Sequence, residues 1–321
     1  MGSTRCGSRN LFFQHKPFPA LCVIFVPDET FVMKRAAFLI FILIISACGR
    51  QAKTGERIIS VSIAPFGYFA EQIAGDHFTV NVMVPAGANP HIYEPYPDQI
   101  DRLRRSEAYI SNGYLGFEMT WMDRFSEINK SMKKLNLGES IVPIENHHDH
   151  EGEHSEGADP HYWVSPLCAM KMALSVRDFL VELDPENREE YDINYGVLLE
   201  KIGQVDSMAR ELSVIEGNRT FMIYHPNLAY LARDYGLKEI AVENEGKEPS
   251  PSQLRELIDA AKRENIKMIL VQREYDPRLA RAVADETGGR VEVIDPLSGD
   301  WYSSTTAVIQ LLKTGFEEAL N

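Results

Sequence analysis

Two hydrophobic periods alternate along the chain. Residues 57–63 alternate and are β-branched, which predicts a strand, and 66–74 carry helical spacing that stops at Gly75. Residues 78–84 predict a second strand, followed by the turn-rich Pro85-Ala86-Gly87-Ala88-Asn89-Pro90. A helix over 99–105, a strand over 108–111 and helices over 117–125 and 170–183 follow. Asp184-Pro185-Glu186 then reads as a helix start, with Asp184 as N-cap and Pro185 at the first position. The segment 185–214 contains no further proline, and at 1.5 Å per residue it predicts a helix of roughly 40 Å. Its stripes are Tyr195, Leu198, Leu199 and Ile202, then Val205, Met208 and Leu212. After it, strands over 221–224, 240–243, 266–271 and 291–294 alternate with helices over 227–235, 250–264, 277–287 and 305–320. The pattern predicts an α/β fold: two α/β sandwich lobes with parallel sheets, 48–184 and 215–321, flanking one long helix, 185–214, which is either a domain-spanning rod or an amphipathic helix lying on one domain.

The N-terminal segment stands outside this pattern. Met33-Lys34-Arg35 precedes an apolar run over 36–47 that ends Ile45-Ser46-Ala47-Cys48. A basic start and about a dozen apolar residues fit a secretory signal better than a membrane span, which needs roughly 20. Small residues before a cysteine resemble the lipobox of bacterial lipoproteins, which implies lipid on Cys48 and removal of 1–47. Residues 1–32 lack periodicity and precede a signal that begins at its own methionine, so a start codon assigned too early is the preferred explanation.

Composition changes once that segment is removed. The whole chain has 321 residues and a net charge of −14; residues 48–321 hold 28 basic and 45 acidic side chains, a net −17. Such an acidic surface disfavours nucleic acid and anionic lipid as partners, but not a cation. Of four cysteines, Cys6 and Cys22 leave with the signal and Cys48 takes lipid. Cys168 remains alone and reads as a small buried apolar residue.

Histidine carries the candidate chemistry. Residues 145–158 form a polar, acid- and histidine-rich loop containing His147, His148, His150 and His154. His77 reads as a surface turn residue. His91, His161 and His225 each sit beside a proline, and His91 and His225 follow predicted strands, where α/β sheets gather their ligand sites. Asp295 ends a strand and is also followed by a proline. Three imidazoles and a carboxylate make a tetrahedral zinc set. Spacings of 70 and 64 residues match no short zinc motif. The residues alone therefore leave both a shared metal site and ordinary hydrogen-bonding loop histidines open.

Five ordered blocks narrow the choice. They are Pro85-Ala86-Gly87-Ala88-Asn89-Pro90-His91-Ile92-Tyr93-Glu94-Pro95; Asp159-Pro160-His161-Tyr162-Trp163-Val164-Ser165-Pro166; His225-Pro226-Asn227-Leu228-Ala229-Tyr230 leading into Tyr235-Gly236-Leu237; Glu248-Pro249-Ser250-Pro251; and Asp295-Pro296-Leu297. Nearly end to end, residues 48–321 resemble the metal-binding solute receptors of bacterial zinc/manganese ABC importers. The resemblance implies two lobes joined by a rigid helix. It implies metal between them on His91, His161, His225 and Asp295, with Asp300 as an alternative fourth donor and Glu94 orienting a histidine. Two positions depart from the family: Asn89 stands where Asp is common, and Gln272 where a Glu is expected. His225 sits where manganese-selective members carry a carboxylate, and nitrogen-rich donation favours Zn²⁺ over Mn²⁺. Histidine-rich loops of the 145–158 kind occur in the zinc branch, as auxiliary capture sites.

The function implied is a monomeric, lipid-anchored extracytoplasmic receptor that hands zinc to an ABC permease, and not an enzyme. A zinc hydrolase is the rival class, because three histidines without Asp295 leave a position open for water; no HExxH motif or nucleophile elbow is present. A manganese receptor and a metal-dependent surface adhesin are further alternatives within the family.

Overall fold

β1, Ile58–Ile63, is buried at every position although Ser60 and Ser62 interrupt its apolar run. Central strands of a parallel sheet are covered on both faces, so they read as near-continuous apolar runs. The two serines are satisfied inside: the Ser60 and Ser106 hydroxyls lie 2.8 Å apart, and those of Ser62 and Tyr109 also 2.8 Å apart. The computed structural model describes residues 55–145, 157–243 and 247–320.

The first lobe continues with α1 (Ala64–Ala74), β2 (Thr79–Val84), α2 (Pro97–Arg105), β3 (Ala108–Ser111), α3 (Gly116–Ile128), β4 (Lys133–Asn136) and α4 (Pro166–Leu183). α5, Arg188–Ser213, links it to the second lobe. That lobe contains β5 (Thr220–Ile223), α6 (Ala229–Tyr235), β6 (Lys238–Ala241), α7 (Pro251–Arg263), β7 (Met268–Gln272), α8 (Arg278–Thr287), β8 (Arg290–Ile294) and α9 (Trp301–Ala319). Each sheet has four parallel strands, in the orders β2-β1-β3-β4 and β6-β5-β7-β8. In both, the chain moves to one side of the first strand and then to the other. This creates a switch point between β1 and β3 and another between β5 and β7, where loops diverge and leave a crevice. The hydrophobic pattern does not predict β4: Lys-Lys-Leu-Asn is an edge strand, and its exposed lysines protect the open sheet edge.

α5 has 26 residues, about 39 Å of helix. Its buried stripe, Tyr191, Leu198, Ile202, Val205, Ala209 and Leu212, recurs at helical spacing. α5 packs on α1 and α4 of the first lobe and on α9 of the second, and one apolar cluster runs continuously through both lobes. Its start differs from the expectation. Pro185–Asn187 form a 3₁₀ turn, and the Asp184 side chain caps no backbone N–H. Its carboxylate instead accepts from Arg57 Nη1 at 2.7 Å, Asn187 Nδ2 at 2.9 Å and the Tyr191 hydroxyl at 2.8 Å. Arg57 also donates to both oxygens of Glu107 at 2.8 Å. The start of β1, the entry to β3 and the first turn of α5 thus share one charged knot. Burial would raise the Asp184 carboxyl, but its donors outweigh that and hold it below the usual carboxylate range.

The lobes are also stitched directly. Trp163 Nε1 donates to the Pro296 carbonyl at 2.9 Å, and Trp301 Nε1 donates to the Trp163 carbonyl at 2.7 Å. The Tyr230 hydroxyl donates to the Asp159 carbonyl at 2.7 Å and accepts from the Ile144 N–H at 3.1 Å. An antiparallel bridge between Glu145 and Ala158 closes the root of the histidine-rich stretch; His147, His148, His150 and His154 lie outside the described residues, as does Cys48. Among the described residues no helix is long and apolar enough to cross a membrane. Cys168 is buried, and His77 sits at a turn with its Nε2 2.9 Å from Glu190.

Because the Asp184 knot leaves Arg57 without half its partners when broken, Asp184→Ala is expected to lower the unfolding free energy by about 2–3 kcal/mol. Urea denaturation followed by circular dichroism measures it, and a change below about 0.5 kcal/mol, the range of ordinary surface substitutions, would contradict the assigned role.

Candidate metal centre

Each of the three prolyl-flanked histidines is fixed by its own backbone surroundings. His91 lies in the loop after β2, where its N–H donates to Asn89 Oδ1 at 2.9 Å. Gly116, at the start of α3, lets that helix approach; a Cβ there would lie 2.9 Å from the His91 carbonyl oxygen. His161 opens a 3₁₀ turn, Tyr162–Val164. Asp159 Oδ1 accepts both its backbone N–H at 2.7 Å and its Nδ1–H at 2.8 Å. His225 leaves the end of β5. Its N–H donates to Gln272 Oε1 at 3.3 Å, Gln272 Nε2 donates back to the His225 carbonyl at 2.6 Å, and its Nδ1 bonds to Glu243 Oε1. The ring stacks on Tyr275 with centroids 4.9 Å apart and planes at 19°.

These contacts fix the tautomers of two rings. A carboxylate only accepts, so Asp159 and Glu243 place the protons of neutral His161 and His225 on Nδ1. Both Nε2 atoms are then bare lone pairs, yet they face each other at 3.4 Å. Bonds of about 2.0–2.1 Å to a tetrahedral zinc would set two nitrogens roughly 3.3–3.4 Å apart. The three imidazoles form a near-equilateral triangle, with ring centroids 5.3, 5.2 and 5.1 Å apart. One nitrogen from each lies within 4.8 Å of the others.

The cavity they line also contains Asn227, Glu274 and Tyr275 and has a volume of about 10 Å³, room for one water-sized guest. Among the described residues five buried side-chain atoms lack any hydrogen-bond partner. Three of them, His91 Nε2, Asn227 Oδ1 and Glu274 Oε2, belong to residues of this cavity. Two of the three, Asn227 Oδ1 and the carboxylate Oε2 of Glu274, can only accept, and unsatisfied acceptors on one space are what a cation requires. The protonation states agree. Burial, reinforced by His161 and His225, pushes the His91 imidazole down to about 3. Burial also holds the His161 imidazole below its usual value. Asp159 would be raised by burial, but His161 beside it more than offsets this and keeps the carboxyl low.

The structure brings His91, His161 and His225 together and places the carboxylates differently. Asp295 lies outside that group of nitrogens, with its Oδ2 3.3 Å from Arg273 Nη1. Asp300 caps α9, accepting from the Ser303 N–H at 3.1 Å, and is exposed. Glu94 is exposed; the carboxylates that orient imidazoles are Asp159 and Glu243 instead. Sequence reasoning missed both of these, and Glu274 and Asn227 as well. Asp159 is a local signal, two residues before His161 in Asp159-Pro160-His161. Glu243 is fixed by sheet register: Ile223 pairs with Ala241, so the residues two beyond each, 225 and 243, come side by side. The same register pairs Ile223 with Leu270 and aligns His225 with Gln272.

An interlobe cleft that gathers three imidazoles, two of them with Nε2 lone pairs bare, defines the chain as two α/β lobes closed over a small nitrogen-lined cavity. The family model described as zinc-uptake complex component A, periplasmic, matches residues 59–315, and the chain belongs to that family. It is 28% identical over 278 residues to the high-affinity zinc uptake system protein ZnuA of Bacillus subtilis, covering 80% of this chain and 86% of that one. It is also 28% identical over 278 residues to the zinc-binding lipoprotein AdcA of Streptococcus pneumoniae, covering 83% of this chain but only 55% of AdcA, so it spans about half that relative's length. The crystal structure of ZnuA superposes with a TM-score of 0.75 at 37% identity, over 81% of this chain and 99% of that one.

Two predictions follow from the geometry. Gln272 is fully buried and both donates to and accepts from the His225 backbone; an ionised carboxylate there cannot donate to the carbonyl. Gln272→Glu is therefore expected to destabilise the protein by about 1–3 kcal/mol, measured by chemical denaturation of metal-free protein. The second concerns acid. His91 and His161 stay neutral when folded but titrate near 6.5 when unfolded. Their stabilisation is complete above about pH 6.5 and is lost as pH falls below it, for His91 towards about 3. Thermal unfolding in chelator is expected to show Tm falling across that window, less steeply in His91→Gln; equal slopes would contradict it.

Proposed function

We propose that this protein captures Zn²⁺ between its two lobes outside the cytoplasmic membrane and delivers it to the permease of an ABC importer. The observation that carries this reading is the pair of Nε2 lone pairs facing each other at 3.4 Å, joined by the partnerless Nε2 of His91. Neutral nitrogen donors in a small closed cavity suit zinc; manganese, the second reading, favours more oxygen. Relatives described as zinc uptake and zinc-binding proteins support the same cargo.

Delivery needs binding without chemistry on a substrate, and the cavity has room for an ion and little else. A hydrolase would need the same metal with an open position and access for an ester or peptide. The long helix and the Trp163, Trp301 and Tyr230 hydrogen bonds across the lobes favour a modest rocking over wide hinge closure. Cys48 supplies the lipid anchor, the 145–158 loop captures zinc weakly outside the main site, and the receptor acts as a monomer.

Calorimetric titration of metal-free protein tests the proposal. It should show one tight zinc and weaker sites that disappear when 146–156 are deleted. His225→Ala should cost about 100-fold or more in affinity for the tight zinc, at least the upper range for removing a mere outer partner. Preference for Mn²⁺, or zinc-dependent turnover of ester or peptide substrates, would sink it.

A further inference from the structure

Three imidazoles leave a tetrahedral ion one donor short. Two carboxylates stand near the gap, and they are not equivalent. Asp295 follows β8, does not line the cavity, and is engaged by Arg273 at 3.3 Å. Glu274 follows β7 by two residues and lines the cavity with His91, His161 and His225. Its Oε2 is buried without a hydrogen-bond partner. A buried, partnerless carboxylate oxygen is costly unless something charged completes it. Neither carboxylate lies within 4.8 Å of all three nitrogens, so a rotation is required of either. Glu274 has the extra methylene and no side-chain salt bridge to break; Asp295 would have to abandon Arg273.

We infer that Glu274, rather than Asp295, supplies the fourth donor to the cargo ion. This rests on the zinc reading above. Glu274 also sits at the switch point: β7 is the neighbour of β5, so Glu274 and His225 enter the crevice from adjacent strands. The ligand set becomes His91 and His161 from the first lobe, His225 and Glu274 from the second. One carboxylate joins three neutral nitrogens and leaves one positive charge, which the Asp159 and Glu243 carboxylates behind two of the rings more than offset. Arg273–Asp295 then acts as a strap: Arg273 N–H donates to the Ile294 carbonyl at 3.0 Å, and its side chain holds Asp295 just after β8.

The test compares full-chain protein with Glu274→Gln, Glu274→Asp and Asp295→Asn, reading zinc affinity by chelator competition and the visible spectrum of the Co²⁺ form. Glu274→Gln is expected to weaken zinc by about 100-fold and to alter the Co²⁺ ligand-field bands, whereas Asp295→Asn changes affinity less than about tenfold and leaves the bands in place. Glu274→Asp, with a carboxylate one methylene shorter, should fall between, and it carries the test if the Gln variant does not fold. A large loss in Asp295→Asn with Glu274→Gln unchanged overturns the inference, as do equal losses in both. Failure of the unsubstituted protein to retain zinc would instead overturn the zinc reading itself, and is told apart because it needs no variant.

Discussion

Two lone pairs held face to face, with a third imidazole left partnerless beside them, are the constraint on which this structure turns. Neutral imidazoles left free would rotate to hand each other protons or reach water. Here Asp159 holds the Nδ1–H of His161 and Glu243 that of His225, so neither ring can turn its donor side inward. Nearly complete burial of His161 and Glu243, each 5% exposed, removes water as an alternative partner. The mutual repulsion that remains is tolerable only because the surrounding fold is rigid, and a cation relieves it. The same carboxylates that create the tension also make each ring they face a stronger donor towards a cation.

Rigidity comes from placing the donors on opposite lobes and then locking the lobes. His161 is followed at once by Tyr162 and Trp163, whose aromatic rings pack on Phe66. Trp163 donates to Pro296 while Trp301 donates to Trp163. These two bonds fix the first-lobe histidine against the start of the loop after β8. On the other side Tyr230 ties the second lobe to the Asp159 carbonyl, the residue that orients His161. The 39 Å helix lies along both lobes rather than spanning a gap, so its buried face belongs to one continuous apolar cluster.

Where the sequence diverges from its relatives, the structure supplies a reason. Gln272 stands where the family resemblance leads one to expect Glu. An amide can donate to the His225 carbonyl and accept from its N–H together, a two-way bond that an ionised Glu cannot form. Asn89 stands where Asp is common, and its Oδ1 still accepts the His91 N–H at 2.9 Å. In both cases a neutral side chain keeps the backbone geometry and removes a negative charge close to the centre.

The local pattern alone determined the α/β class, both sets of alternating strands and helices, and the long helix to within three residues; it singled out the three histidines as candidates but not as a shared site. Apolar period and prolines beside histidine are local signals, and they survive in a linear reading. The edge strand β4 was invisible because an edge exposes polar residues and carries no apolar period. The partnership of His225 with Glu243 and Gln272 was decided by register between strands distant in sequence. Which carboxylate oxygen is left without a partner was decided later still. Asp295 had the motif, but Arg273 engages it, while Glu274 turns a partnerless oxygen into the cavity. Residue type and spacing state what chemistry a chain can offer; only packing settles which donor is left unsatisfied, because satisfaction is a property of neighbours.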